Sequence, residues 1–402
     1  MTNWLLLVAA SLPAGPSVGN TSDAGVAVKV SNPLHIARAS ETIAIKFSEL
    51  TQTAPNLDPT KTVVVDGEGN SLDSQLVDLD QDGKADELVF QSPFAGGETR
   101  KFVVRPGDRR PPSPEAFKVY GRFVRERHDD FAWENDRVAH RMYGPGLETW
   151  KAEPLVSSGI DVWSKRVRKL VVNEWYMTDN YHQDGGQGAD FYAVGKSRGC
   201  GGVGVWAGES LHVSRNFTTS RVLANGPLRL VFELDYAAWD AGGKQLTETK
   251  RVTLDAGKHF NRFDSVFRSE ASPPAPLTVA IGVAKHDGAT VQFDKKGGAL
   301  RTWEPLKMGN GNIGCAVLAH PGTVAGNKTT EIDNLMLVNG RLGGTLTYYV
   351  GSAWDRGGDV SDGAGWAKLV DTFAREVATP VRVTLSATTV TTPARTPAGP
   401  VP

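Results

Sequence analysis

Short runs of β-forming residues, each closed by Gly, Asn, Asp or Pro, recur along almost the whole chain, and this punctuation limits the folds open to it. Residues 26–30, 43–47, 62–65, 87–91, 100–105, 202–206, 228–236, 248–254, 277–283 and 346–350 are such runs. Several alternate apolar with polar side chains, the period of a strand with one buried and one wet face. A helix needs apolar positions every three or four residues. Only 365–377 offers them clearly, with Trp366, Leu369, Val370 and Phe373 on one side. The pattern predicts an all-β protein of packed antiparallel sheets.

Residues 105–114 read Arg-Pro-Gly-Asp-Arg-Arg-Pro-Pro-Ser-Pro, which no strand would tolerate. A linker over 106–114 therefore divides a small β module, 24–105, from a large one, 115–388. The Thr-, Pro- and Ala-rich end, 389–402, is expected to be a disordered tail. Residues 4–11 form a short apolar run followed by small and then polar residues. That is the pattern of a secretory signal peptide, so 1–23 is expected to be a leader and the protein to be exported, periplasmic or secreted. No Lys or Arg precedes the run, which departs from the usual pattern.

The 402 residues suffice for one large domain with a smaller companion. Forty per cent are hydrophobic and 22% charged, an ordinary globular balance. A net charge of −1 argues against nucleic acid or an anionic membrane as the main partner. No run approaches the about 18 apolar residues of a membrane span. Two cysteines, Cys200 and Cys315, permit one disulfide but suit two separate buried thiols as well. The sequence does not settle the oligomeric state.

Two segments carry dense chemistry. In 78–87, Asp78, Asp80, Asp82 and Asp86 alternate around Gly83, the spacing that gathers oxygen ligands on a hard cation. A structural calcium is one reading, and a charged hairpin turn is the other. The twelfth position of a helical calcium loop would be Glu, but Val89 stands there. No other cofactor is required.

The second segment is Tyr181-His182-Gln183-Asp184-Gly185-Gly186-Gln187-Gly188-Ala189-Asp190-Phe191-Tyr192, continuing to Arg198-Gly199-Cys200. His182 is a candidate general acid or base, with Asp190 and Tyr192 as catalytic partners. Five of the ten Trp lie between 133 and 206, interleaved with charged residues. Flat rings beside cationic forks suit a sugar ring and a carboxylate. Arg141, Trp163, Lys165, Trp175, Tyr181 and Arg198 are thus candidate substrate contacts. His286, at the end of the run 277–283, is another. The alternative is a glycine-rich surface loop with part of the Trp set in the core. No Gly-x-Ser-x-Gly elbow, phosphate-binding loop or His-Glu-x-x-His motif is present.

Several strings together resemble the domain-of-unknown-function 4861 family. They are Ala139-His140-Arg141-Met142-Tyr143-Gly144-Pro145, Ser158-Gly159-Ile160-Asp161-Val162-Trp163, the 181–192 segment, Arg198-Gly199-Cys200-Gly201-Gly202 and Asn225-Gly226-Pro227. The resemblance spans about 25–375. It implies export and a place beside unsaturated glucuronyl hydrolases in polysaccharide degradation, hence pectin-type, uronate-containing chains. The second half also looks like a galactose-mutarotase-like β-sandwich, a fold that hosts epimerases, lyases and hydrolases. The expected function is a carbohydrate-active enzyme on an anionic oligosaccharide. The alternative is a non-catalytic glycan-binding protein.

Overall fold

Strand Gln245–Asp255 illustrates how the alternating runs become sheet. Leu246, Glu248, Lys250, Val252 and Leu254 point inward, while the residues between them are exposed or half-buried. It is the third strand of an eight-stranded antiparallel sheet ordered Thr219–Asn225, Arg229–Asp240, Gln245–Asp255, Phe260–Arg268, Thr345–Trp354, Asn312–Ala319, Ala299–Pro305 and Thr290–Asp294. The computed structural model describes residues 22–391 apart from 153, 179 and 270–272.

Two five-stranded sheets cover the inner face of this large sheet. One is ordered Ser210–His212, Cys200–Ala207, Pro276–Ala284, Asp333–Arg341 and Val324–Thr329. The other is ordered Gly188–Ala189, Asp161–Lys165, Ala139–Met142, Asp130–Asn135 and Val119–Val124. One continuous core joins all three, from Phe131 and Trp133 through Phe232 and Val252 to Val279 and Ile281. Helix Gly363–Ala378 lies on the opposite face of the large sheet, matching the one helix read from periodicity. Asp362 caps it by accepting from the Gly365 amide, 2.7 Å. Its Trp366 sits so close to Gly314 that a Cβ there would come within 2.5 Å of the indole. A short helix, Phe47–Thr53, went unread because it is too short to display a period.

The small module is a second sandwich with its own core, which includes Val26, Val28, Ile43, Ile45, Phe90 and Phe102. The sequence boundaries need correction here. Strand Arg382–Thr391 leaves the large domain and pairs antiparallel with Ser22–Ser31, Val28 opposite Leu385. The large unit therefore does not run to 388, and 389–391 are strand rather than tail. Residues 22 and 23 open a strand rather than close a leader. Pairing between the two ends of a chain leaves no local signature, while an open strand edge invites it. The rest of the expected leader, 1–21, and of the tail, 392–402, lies outside the described residues.

Polar contacts fix the small sandwich on the large one. Arg229 bonds Asp255 at 2.7 and 2.9 Å and Glu87 at 3.0 Å. Gln75 accepts from the amides of Leu228 and Arg229. The linker is pinned as well: Arg109 donates to the carbonyls of Thr62 and Ser74. Cys200 and Cys315 are both buried free thiols. Among the described residues no helix is long and apolar enough to cross a membrane.

Candidate active site

The sheet containing Ala139–Met142 turns two chemically different faces outward and inward. Inward, Trp133 stacks on His140, and its indole donates to Asn261, 2.8 Å, within the core. Outward, the strands carry Asp130, Glu134, Arg141, Asp161, Trp163 and Lys165. Such a face is usually wet. Here helix Val172–Tyr176 and the glycine-rich segment roof it, so its charges are buried and must be paired with one another.

Arg141 is the hub. It lies directly across from Asp161 in the ladder. Its Nε donates to Asp161 Oδ2 at 2.7 Å, Nη2 to Asp190 Oδ2 at 2.9 Å and Nη1 to the Tyr181 hydroxyl at 2.8 Å. Tyr143 donates to the same Asp161 oxygen, 3.1 Å. Asp130 Oδ2 stands 3.6 Å from Nη1. Among the described residues, the outer oxygens of Asp161 and Asp190 and both oxygens of Asp130 have no hydrogen bond of normal geometry. Three buried carboxylates thus share Arg141, and Arg127 adds its charge beside Asp130 and Asp190. Burial pushes the Asp130 carboxyl up to about 7 against the pull of both arginines. Burial, reinforced by Asp161, holds Asp190 well above the usual carboxylate range. The cluster therefore retains a proton near neutrality.

His182 stands over this cluster with its side chain 54% exposed, whereas that of Asp190 is 1% exposed. Its Nδ1 lies 3.1 Å from the Asp190 carbonyl oxygen and 3.5 Å from Asp190 Oδ2. With Nδ1 donating, Nε2 carries the lone pair, and among the described residues it has no hydrogen-bond partner. The ring lies on Tyr181, centroids 4.4 Å apart. Arg127 Nε donates to the Tyr181 hydroxyl at 2.7 Å, and its guanidinium covers Trp150 at 4.9 Å. An exposed imidazole, a half-buried phenol, a cation and an indole so form one surface.

That surface rests on strained backbone. His128 and Asp129 both take positive φ, 52° and 68°, a conformation costing about 1–3 kcal/mol per non-glycine residue. Gly144 permits it, because a Cβ there would lie 1.6 Å from the Asp129 carbonyl oxygen. Gly144→Ala is expected to lower stability by about 1–3 kcal/mol or more. Urea denaturation reads this directly, and an unchanged midpoint would disprove the contact.

The placement of the expected site residues differs from a simple binding cleft. Asp190 joins His182 as expected. Tyr192 does not: its ring packs edge-on to His286 at 5.2 Å, and its hydroxyl is buried. Of the substrate contacts, Arg141, Trp163, Lys165, Trp175 and Arg198 are buried. Arg141 is consumed by the carboxylates. Lys165 bonds Glu134 at 2.7 Å and the Asn135 carbonyl. Arg198 bonds Ser158 in the interior, and Trp163 stacks on Trp175 beneath the roof. Their mixed polarity suggested a surface, whereas the sheet turns this face toward a lid. Only Tyr181 and His286 remain partly accessible. Asp130, Arg127 and Trp150 complete the site but carry no motif, since a lone Asp or Arg beside a turn is common everywhere.

In the loop 78–87 the four aspartates are not all gathered. One oxygen each of Asp78, Asp80 and Asp86 lie within 4.8 Å of one another, which fits a hard cation. Asp82 is turned away, accepting from the Lys84 amide at 2.8 Å and pairing with its ammonium at 3.1 Å. A short i to i+2 pairing captures it first.

Fold and site together define an all-β protein of two sandwiches with a buried carboxylate–arginine cluster under an exposed histidine. The family model for the domain of unknown function DUF4861 matches residues 30–383, and the chain belongs to this family. It is 32% identical over 375 residues to an uncharacterized protein P7 of Formosa agariphila, covering 89% of this chain and 93% of that one. Among solved structures it is similar to an alpha-mannosidase from Enterococcus faecalis, at 9% identity and TM-score 0.47. That overlap covers 92% of this chain and 46% of the other, so the chain spans less than half of that enzyme. A putative aldose 1-epimerase from Klebsiella pneumoniae overlaps at 8% identity and TM-score 0.28, over 84% of this chain and 96% of the other.

Proposed function

We propose that the chain is an exported carbohydrate-active enzyme that moves a proton on uronic-acid-containing, pectin-type oligosaccharides. The observation that carries this reading is the pairing of exposed His182 with buried Asp190, whose carboxylate Arg141 holds in place. Asp190 orients the imidazole, and the free Nε2 accepts or returns the proton. Arg127, bonded to the Tyr181 hydroxyl and lying over Trp150, puts positive charge beside it that favours the sugar carboxylate. Neutralising that carboxylate acidifies the neighbouring carbon-bound proton, which a single base can then remove. Hydrolysis is less well served. It needs two carboxylates flanking the bond, and Asp161 and Asp190 instead close on one guanidinium. Elimination or epimerisation is therefore favoured.

A panel of uronate oligosaccharides tests this reading. A rise in ultraviolet absorbance reports a new conjugated double bond, and a change in anomer or epimer by NMR reports isomerisation. If no substrate turns over but binding is lost on Trp150→Ala, the chain is a glycan-binding protein. In that alternative Trp150 supplies the aromatic surface: Trp133, Trp163, Trp175, Trp239, Trp354 and Trp366 are buried, and of the partly exposed Trp150, Trp206 and Trp303 it is Trp150 that lies against Arg127 beside Tyr181.

A structural calcium on Asp78, Asp80 and Asp86 belongs to the same proposal. The loop touches the large sandwich, Gln81 donating to the Val222 carbonyl at 3.0 Å. Calcium at about a hundredfold over its dissociation constant should add roughly 2.7 kcal/mol of stability. Melting with calcium or chelator checks this, and Asp80→Asn should abolish the difference.

A further inference from the structure

The segment carrying Asp190 is tied down a second time, at its far end. His286 reaches it from the turn beyond strand Pro276–Ala284. Its Nε2 lies 2.7 Å from the Ala193 carbonyl oxygen, and its Nδ1 lies 3.0 Å from Glu304 Oε1. Both neighbours are acceptors. Each ring nitrogen needs a hydrogen to bond its neighbour, and only the imidazolium carries two. Glu304, at the end of strand Ala299–Pro305, is 1% exposed, and among the described residues its Oε2 has no hydrogen-bond partner. A buried carboxylate in that position favours a cation beside it.

We propose that His286 and Glu304 form a protonation-dependent latch that positions residues 190–193, and with them Asp190 beneath His182. His286 is a positioning residue here, and its relevance to catalysis rests on the reading of His182 and Asp190 given above. The other groups around it do not cancel the effect. Lys307 opposes the positive charge, and Asp333 on the neighbouring strand supports it. Tyr192 packs against the ring, with the Cys315 and Cys200 thiols beneath it. Lys285 and Asp287, its chain neighbours, are exposed.

The bond to Glu304 raises the His286 pKa above its ordinary value, and burial works against it. A raised folded-state pKa gives stability that is complete below the unfolded pKa and is lost as pH rises through the folded one. The latch is closed in mild acid and opens on the alkaline side of the ordinary histidine range.

Hydrogen–deuterium exchange of amides 190–197, corrected for intrinsic exchange, reads the latch without substrate. In the wild type, protection should fall about tenfold or more between about pH 6 and about pH 8.5, the loss expected for one charge-assisted bond. His286→Ala should show the low protection at both pH values. His286→Lys keeps a cation with several donors through this range and should keep the protection at both. A flat wild-type series, or an equal fall in His286→Lys, overturns the proposal. The wild-type series decides even if a variant does not fold. Inactivity on every oligosaccharide would sink the functional reading and leave this test standing, and the reverse also holds.

Discussion

His182→Ala should reduce turnover on a uronate oligosaccharide by about 10²- to 10⁴-fold, the range for losing a positioned general acid or base. Stability should stay within about 0.5 kcal/mol of wild type. The separation of the two effects follows from exposure: the imidazole is 54% exposed, and among the described residues its bonds reach only Asp190. If the residue acts through proton transfer, kcat falls while binding survives. A rise in KM with kcat unchanged would assign His182 to holding a hydroxyl. Wild-type turnover in the variant would remove His182 from the mechanism altogether.

Arg141→Ala should produce the largest loss of stability in the molecule, about 3–5 kcal/mol near neutral pH. Removing one partner leaves buried charge uncompensated, and here Asp161 and Asp190 lose their donor together while Asp130 loses a cation 3.6 Å away. The cost should depend on pH in a definite direction. Without the guanidinium, the folded-state pKa values of Asp130 and Asp190 rise further above their unfolded values. An acid so raised costs stability above its unfolded pKa, and the loss is recovered as pH falls and the group takes up a proton. The gap between wild type and variant should therefore narrow from about pH 7.5 to about pH 5. Urea denaturation at the two pH values measures it. Equal gaps would mean that Arg141 contributes packing rather than charge.

Much of this molecule was legible in its sequence. All ten β-forming runs lie in strands, apart from an end residue or two, because period-two alternation and the turn residues that end it are local properties. Helix Gly363–Ala378 was equally clear, since its apolar stripe is carried by the chain itself. The site was half legible. His182 and Asp190 stood out because their glycine-rich setting is unlike core strand. The error with Arg141, Lys165, Trp163 and Trp175 has a physical origin: an outward sheet face reads as surface until something covers it. That cover, helix Val172–Tyr176 and the segment behind it, is too short and too polar to announce itself.

The sequence by itself determined the strands, the long helix, the two sandwiches in outline and the segment where chemistry gathers, all through contacts between near neighbours. Tertiary structure alone decided which charges are spent on one another. It carried the last strand back to the first, set Asp130, Asp161 and Asp190 around one guanidinium and left His182 exposed above them. Those are meetings of residues tens to hundreds of positions apart, and burial, which fixes their protonation, exists only once the sheets have closed.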